Sequence, residues 1–152
     1  MKEKLTHLDE QGRASMVDVG HKLPMRREAI AEGFFCANHD TLDLIEAGKV
    51  PKGEALAVAR IAGIQAAKKC DELVPLCHSL PLDAVSVDFE RTAPDRLRII
   101  ATATTTAKTG VEMEALTAVA IAGLTLYDMT KAVDRDLRLE GVRLVGKTKT
   151  PV

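Results

Sequence analysis

An acid and a base lie three residues apart near the end of one apolar stretch of the chain. Asp128 and Lys131 follow the apolar stripe that ends at Tyr127, in a helix predicted over residues 111–132. Residues at this spacing share a helix face, so the carboxylate and the ammonium group can touch. Such a pair is an ordinary feature of a helix end, where the helix dipole favours a lysine, but acid–base pairs also concentrate in active sites.

A second group of polar residues falls on a loop and on the start of the same predicted helix. Cys77 and His78 lie between two prolines, in a loop suited to ligand contacts. Neighbours in an extended loop seldom face each other, so we interpret His78 as a hydrogen-bonding or proton-relay group, or as a satisfied loop histidine, rather than as the base of a cysteine nucleophile. Glu112 follows Thr109 at the spacing of a capping box, whereas Glu114 has no capping role.

Lysines precede both long predicted helices and could hold an anion. Lys52 stands before the first of these helices and Lys108 before the second. Free backbone N–H groups at a helix start can bind a phosphate together with a nearby lysine. Residues 141–148 match the Walker A pattern, but their inner positions are typical of a strand and leave no room for the helix that this motif needs. Lys147 remains a point charge that could reach a phosphate.

The order of the predicted elements indicates how these groups are positioned. Apolar periodicity predicts strand, short helix, long helix, strand, strand, long helix and strand over residues 27–37, 41–47, 53–69, 82–91, 97–107, 111–132 and 137–145. Apart from the short helix, this is the ferredoxin-like βαββαβ order, an α+β fold with an antiparallel sheet and helices packed on one face. We expect residues 1–24 to form an N-terminal arm and residues 25–150 to form the catalytic domain.

The composition excludes several functional classes. A net charge of −1 and an aromatic content of 3% argue against nucleic-acid binding. No apolar run reaches membrane-spanning length and no signal peptide precedes the charged start, so we expect no membrane partner and a cytoplasmic location. Cys36, Cys70 and Cys77 lack Cys-x-x-Cys spacing, which fits a reducing compartment and gives no reason to expect a metal. No cofactor is indicated.

Both long helices are apolar around most of their circumference. Residues 55–64 contain one charge, Arg60, and residues 115–126 contain none. A helix that packs on one sheet needs only a single apolar stripe. We therefore expect the remaining surface to be buried in another subunit. The alternative is that the N-terminal arm covers it, although the arm has few large apolar residues.

With these residues assembled, the chain resembles the cyclic pyranopterin monophosphate synthases of molybdenum cofactor biosynthesis. The resemblance is carried by LTHL, MVDV, ARIAGIQAAK, VPLCH, KTGVEMEALT and YDMTK, at residues 5–8, 16–19, 59–68, 74–78, 108–117 and 127–131. It implies a ferredoxin-like subunit in a homohexamer, a trimer of dimers. It also implies a lyase that converts (8S)-3',8-cyclo-7,8-dihydroguanosine 5'-triphosphate, a nucleotide-derived substrate, to cyclic pyranopterin monophosphate and diphosphate.

The resemblance further implies roles for individual residues. It assigns catalysis to Lys52, Asp128 and Lys131, and substrate contacts to Leu76, Cys77, His78, Met113 and Glu114. The residues themselves add Glu112 and Lys147 to the candidate substrate contacts. Asp128 can orient Lys131 and stabilise its charged form, whereas a lysine crowded by another cation, or buried, has a lowered pKa and can act as a base.

Helix geometry adds an expectation about the assembly. Met113 and Lys131 lie on nearly the same face of the predicted helix, but about 27 Å apart along its axis. A pterin-sized ligand cannot bridge that distance, so we predict that each pocket lies at a subunit interface. There the Asp128 end of one subunit meets the Glu114 end of its neighbour.

Two other functions compete with this assignment. A small-ligand-sensing regulatory module is the alternative, because ferredoxin-like domains serve many functions and the fold alone does not decide between them. RNA binding on the sheet is disfavoured by one tyrosine, three phenylalanines and no basic excess.

Overall fold

The computed structural model describes residues 6–152, so the first five residues of the predicted arm lie outside the described residues. The elements are β1 (Met25–Cys36), α1 (His39–Glu46), α2 (Ala55–Lys68), α3 (Cys70–Leu73), β2 (Leu82–Ala93), β3 (Arg96–Ala107), α4 (Glu112–Thr130) and β4 (Arg138–Thr150). The strands form one antiparallel sheet in the order β2-β3-β1-β4. This order confirms the ferredoxin-like α+β fold. Within residues 6–152, no helix is long and apolar enough to cross a membrane.

Alternation along the central strands creates the core face of the sheet. Ala29, Ala31 and Phe35 of β1 are buried, as are their neighbours on β3, because every second side chain points to the same face. In the register of the two strands, Ala31 pairs with Ala101 and Phe35 pairs with Leu97. These paired side chains form the layer on which α4 packs.

Two glycines allow the helices to approach closely. A Cβ atom on Gly33 of β1 would lie 2.7 Å from Val119 Cγ1 of α4. A Cβ atom on Gly63 of α2 would lie 2.9 Å from the Ala118 carbonyl oxygen of the same helix. Because neither position has room for a side chain, α4 lies directly against both β1 and α2. This contact fixes α4 relative to the start of α2.

The predicted elements are confirmed, with differences at their ends. The Walker A match lies inside β4, as expected, but that strand continues to Thr150 rather than ending at residue 145. Pairing of its polar end with β1 explains the extension, since Lys149 stands opposite Arg27. The helix α3 is not predicted because four residues carry too little periodicity.

The predicted capping box at the start of α4 is wrong. The N-cap residue is Val111, and the helix start has no side-chain capping hydrogen bond. The Glu112 carboxylate instead accepts a hydrogen bond from Lys147 Nζ of β4 at 3.2 Å. A tertiary ion pair has thus replaced the local interaction that the spacing favours.

A buried aspartate holds the chain just after α4. Asp134 is 4% exposed, and its carboxylate accepts hydrogen bonds from the Asn38 backbone and side chain, the Thr41 hydroxyl and the Asp136 N–H at 2.8–3.1 Å. These bonds join the end of α4 to the start of α1. Burial raises the pKa of Asp134, but the hydrogen bonds outweigh it and hold the pKa below its ordinary value of 3.8.

Replacing Asp134 with asparagine is expected to lower the free energy of unfolding at neutral pH by about 1–3 kcal/mol, because an amide cannot accept all of these bonds. The folded pKa is depressed, so the carboxylate stabilises the fold above its unfolded pKa of about 3.9 and loses this effect as pH falls through the folded value. The measurement is urea unfolding of the wild type and Asp134→Asn at a series of pH values from neutral to acid. The difference between their free energies of unfolding should shrink as the pH falls. A difference that stays constant with pH would contradict the assignment.

Candidate active site

Two lysines converge on one carboxylate at the carboxyl end of α4. Lys131 Nζ lies 2.8 Å from Asp128 Oδ1, and Lys52 Nζ lies 3.1 Å from Asp128 Oδ2. The side chains of this lysine–aspartate cluster (Lys52, Asp128 and Lys131) are each about half exposed in the single chain. The structure therefore brings together the three residues predicted to be catalytic, although it leaves them accessible to solvent.

Two elements position this cluster. Asp128 and Lys131 occupy the last turn of α4 and the residue after it, so their spacing places them on one helix face. Lys52 lies in a tight turn before α2, where Gly53 has a φ of +107° that favours glycine. The Lys52 ammonium group also donates to the Asp128 carbonyl oxygen at 3.1 Å, which satisfies one of the free carbonyl groups at the helix end.

The charges in the cluster shift the pKa values of Asp128 and Lys131, and each shift favours the ionised form of the residue. Hydrogen bonds from Lys131, and then from Lys52, hold the pKa of Asp128 below its ordinary value. The bond with Asp128 raises the pKa of Lys131. Of the two possibilities for a catalytic lysine, stabilisation of the charged form holds for Lys131, because the adjacent carboxylate outweighs the effect of burial on its pKa. Asp128 therefore holds Lys131 in its ammonium form at neutral pH.

A second set of predicted residues lines a cleft of about 340 Å³ at the opposite end of α4. This α4 N-terminal cleft is lined by the predicted substrate contacts Leu76, Cys77, His78, Glu112, Met113 and Glu114. Lys147 lies at its edge through the contact with Glu112 and lines the adjoining cavity of about 320 Å³ together with Arg27 and Lys149. Carboxyl groups and cations thus alternate around this end of the helix.

Burial changes the proton affinities of two groups in the cleft. Burial raises the pKa of Glu114, and the nearby carboxylates of Glu112 and Asp71 raise it further. Burial, followed by the charge of Glu114, raises the pKa of the Cys77 thiol to about 12. Cys77 is therefore protonated at neutral pH and is a poor nucleophile. Glu114 is suited to hold a proton for a reaction.

Sequence reasoning missed the contribution of the N-terminal arm to this cleft. His78 Nε2 lies 2.6 Å from the Val17 carbonyl oxygen, and Lys108 Nζ donates to the Gly20 carbonyl oxygen at 2.9 Å. Val17, Val19 and Lys22 line the cleft directly. The sequence of the arm has no periodicity that would place it, and a contact through a backbone carbonyl group leaves no signal in the sequence.

The predicted site residues therefore form two groups rather than one pocket in a single chain. Seventeen residues separate Glu114 from Lys131, which corresponds to about 25 Å along the axis of α4. One chain cannot present both groups to the same small molecule.

Known proteins are similar to this chain over the part of the sequence that contains both groups of site residues. The sequence profile of the MoaC family matches residues 16–150. A cyclic pyranopterin monophosphate synthase of Pelotomaculum thermopropionicum is 58% identical over 95% of this chain and 85% of its own length. Proteins of the same name from Chloroflexus aggregans and Novosphingobium aromaticivorans are each 56% identical, over 95% and 94% of this chain and 88% and 90% of their own lengths.

Proposed function

Because this chain belongs to the MoaC family, we propose that it uses the lysine–aspartate cluster and the α4 N-terminal cleft to make cyclic pyranopterin monophosphate. It is a lyase of molybdenum cofactor biosynthesis, a role that the family match supports over a ligand-sensing module. Its substrate is (8S)-3',8-cyclo-7,8-dihydroguanosine 5'-triphosphate, and diphosphate is released. The observation that carries the residue assignment is the pair of ammonium groups held by Asp128.

The cations of the site neutralise the triphosphate. Lys52 and Lys131 each carry an exposed ammonium group that phosphate oxygens can reach. Each group can exchange a hydrogen bond to Asp128 for one to a phosphate oxygen. Lys147 adds a third positive charge at the other end of α4. These point charges stabilise the negative charge that develops as the diphosphate leaves.

Protons move in both directions while the purine ring opens and the pterin ring closes. Asp128 keeps Lys131 in the ammonium form that carries the proton. The carboxylate gives up part of this contact before Lys131 transfers the proton to the substrate. Asp128 orients both lysines and favours the return of a proton from solvent to Lys131 after the transfer. His78 relays protons at the pterin end of the substrate. The further contacts are Leu76, Cys77, Glu112, Met113 and Glu114.

The complete pocket forms between subunits of a homohexamer, a trimer of dimers. The exposed apolar side chains on α2 and α4 support this assembly: Val58, Ile61, Leu124 and Tyr127 are 38–59% exposed in the single chain. Their burial against another subunit would place the Asp128 end of one α4 beside the Glu114 end of its neighbour.

The remaining assignments follow the same proposal. Residues 25–150 form the catalytic domain, and residues 1–24 form an arm that contacts the α4 N-terminal cleft. A cytoplasmic location is supported by the free thiols of Cys36, Cys70 and Cys77.

The direct test is to incubate the purified chain with the cyclised nucleotide and to measure diphosphate and the pterin product. Formation of both in equal amounts is expected. Tight binding of the nucleotide without product would contradict the lyase assignment and favour a sensor.

A further inference from the structure

Three potential metal ligands meet behind the wall of the α4 N-terminal cleft. The Sγ atoms of Cys70 and Cys77 lie 3.8 Å apart, and Cys77 Sγ lies 3.7 Å from Glu114 Oε1. One donor atom from each of the three residues falls within 4.8 Å of the other two. Cys70 comes from α3 and has no place in the proposed reaction, so the cluster contains a group that the proposed function does not use.

The two separations that involve Cys77 Sγ are close to the edges of a metal coordination tetrahedron. With zinc–sulfur distances of about 2.3 Å, two thiolates bound to one tetrahedral zinc ion stand about 3.8 Å apart. A carboxylate oxygen at about 2.0 Å from the ion stands about 3.5 Å from either sulfur. The donor atoms could thus accept an ion between them with small side-chain rotations.

An unsatisfied oxygen gives independent evidence for a ligand. Glu114 is 3% exposed, and its Oε2 atom is buried without a hydrogen-bond partner within the described residues. A buried carboxylate oxygen without a partner costs free energy, and a bound ion is one of the species that can satisfy such a group. Here the same side chain already contacts Cys77 through its other oxygen.

We propose that Cys70, Cys77 and Glu114 bind a thiophilic divalent cation, with zinc as the best match. Two sulfurs and one carboxylate are ligands that zinc accepts, and three protein ligands leave a fourth position open. Cys77 and Glu114 line the cleft whereas Cys70 does not, so the ion lies in the cleft wall. Its binding releases the thiol protons and fixes the two side chains that are also proposed to contact substrate.

The electrostatics of the cluster agree with this assignment. Burial raises the pKa of both thiols, and the charge of Glu114 adds to the effect on each. Burial is the larger cause for both thiols, and a bound divalent cation favours the thiolate form against both effects. The same raised pKa values disfavour a peroxide-driven disulfide, because the thiolate is the reactive form.

Cobalt(II) provides a spectroscopic probe that does not depend on catalysis. The full chain, reduced with a phosphine and freed of metal, is titrated with Co²⁺ while the thiolate-to-cobalt charge-transfer absorption is recorded. We expect one Co²⁺ per chain and displacement by Zn²⁺. Cys70→Ser should lower the affinity by about 100-fold and halve the charge-transfer intensity, since one of two thiolates is lost.

Cys36→Ser is the matched control, because Cys36 is also a buried cysteine beside a carboxylate, with its Sγ 3.4 Å from Glu140 Oε1. It should leave the titration unchanged. Circular dichroism and the Tm, both measured without metal, establish that both variants fold. If the Cys70→Ser protein does not fold, Cys70→Ala is used in its place.

The proposal is overturned if no charge-transfer band appears, or if Cys36→Ser weakens the band as much as Cys70→Ser does. The cobalt titration contains no substrate, so its failure leaves the lyase proposal intact. Failure of the product assay likewise leaves the proposed metal site intact.

Discussion

Replacing Asp128 with asparagine is expected to lower kcat by about 10²–10⁴-fold, the range found when a group positioned for proton transfer is lost. Asparagine preserves the size of the side chain but removes the charge that both ammonium groups contact at 2.8–3.1 Å. Lys131 then loses the partner that raises its pKa, and both lysines lose their orientation. The smaller change should be in KM, since the lysines can still reach phosphate oxygens.

The measurement is steady-state turnover of the cyclised nucleotide by the assembled protein. Asp88→Asn is the matched control, because Asp88 is an exposed carboxylate on β2, away from both ends of α4. It should leave kcat unchanged. Near-normal kcat in a folded Asp128→Asn protein would remove the lysine–aspartate cluster from the mechanism.

Mixing two inactive chains is expected to restore activity if each pocket is shared between subunits. Lys131→Ala disables one end of α4, and Glu114→Ala disables the other. In randomly mixed oligomers, about a quarter of the pockets combine an intact Lys131 from one chain with an intact Glu114 from its neighbour. Activity should therefore rise from background to about a quarter of the wild-type value, the largest relative change among these experiments.

The control for mixing combines two variants at the same end of α4. Lys131→Ala with Asp128→Asn should give no rescue, because every shared pocket then carries at least one defect in the lysine–aspartate cluster. Mixing must be verified with differently tagged chains that purify together. Equal activity in both mixtures would place the whole site within one subunit.

The strands and long helices could be predicted because their signals are local. Alternation along β2 and β3 and the uncharged run in α4 identify their elements from a few residues each. The end of β4 could not be predicted, since Lys147 to Thr150 are polar and their strand conformation comes from pairing with β1. The same distinction explains Glu112, whose capping role is displaced by Lys147 of a distant strand.

The site was predictable to the extent that helix spacing determines it. Asp128 and Lys131 stand three apart on one helix, so their contact followed from the sequence, whereas Lys52 came from the family resemblance. Stabilisation of the charged form of Lys131 by Asp128 followed from the same spacing. The approach of Lys52 to the other oxygen of this carboxylate depends on the tertiary fold and did not follow from it. The contact between Cys70 and Cys77 depends on the turn of the chain after α3, for which the sequence offers no periodic signal.

The sparse aromatic content of the chain gives it a built-in optical reporter. It has no tryptophan, and its single tyrosine, Tyr127, adjoins Asp128 on the half-exposed face of α4. Emission excited in the tyrosine band therefore originates at one place, beside the lysine–aspartate cluster. Quenching of this emission would follow subunit association and nucleotide arrival in real time, without an attached dye.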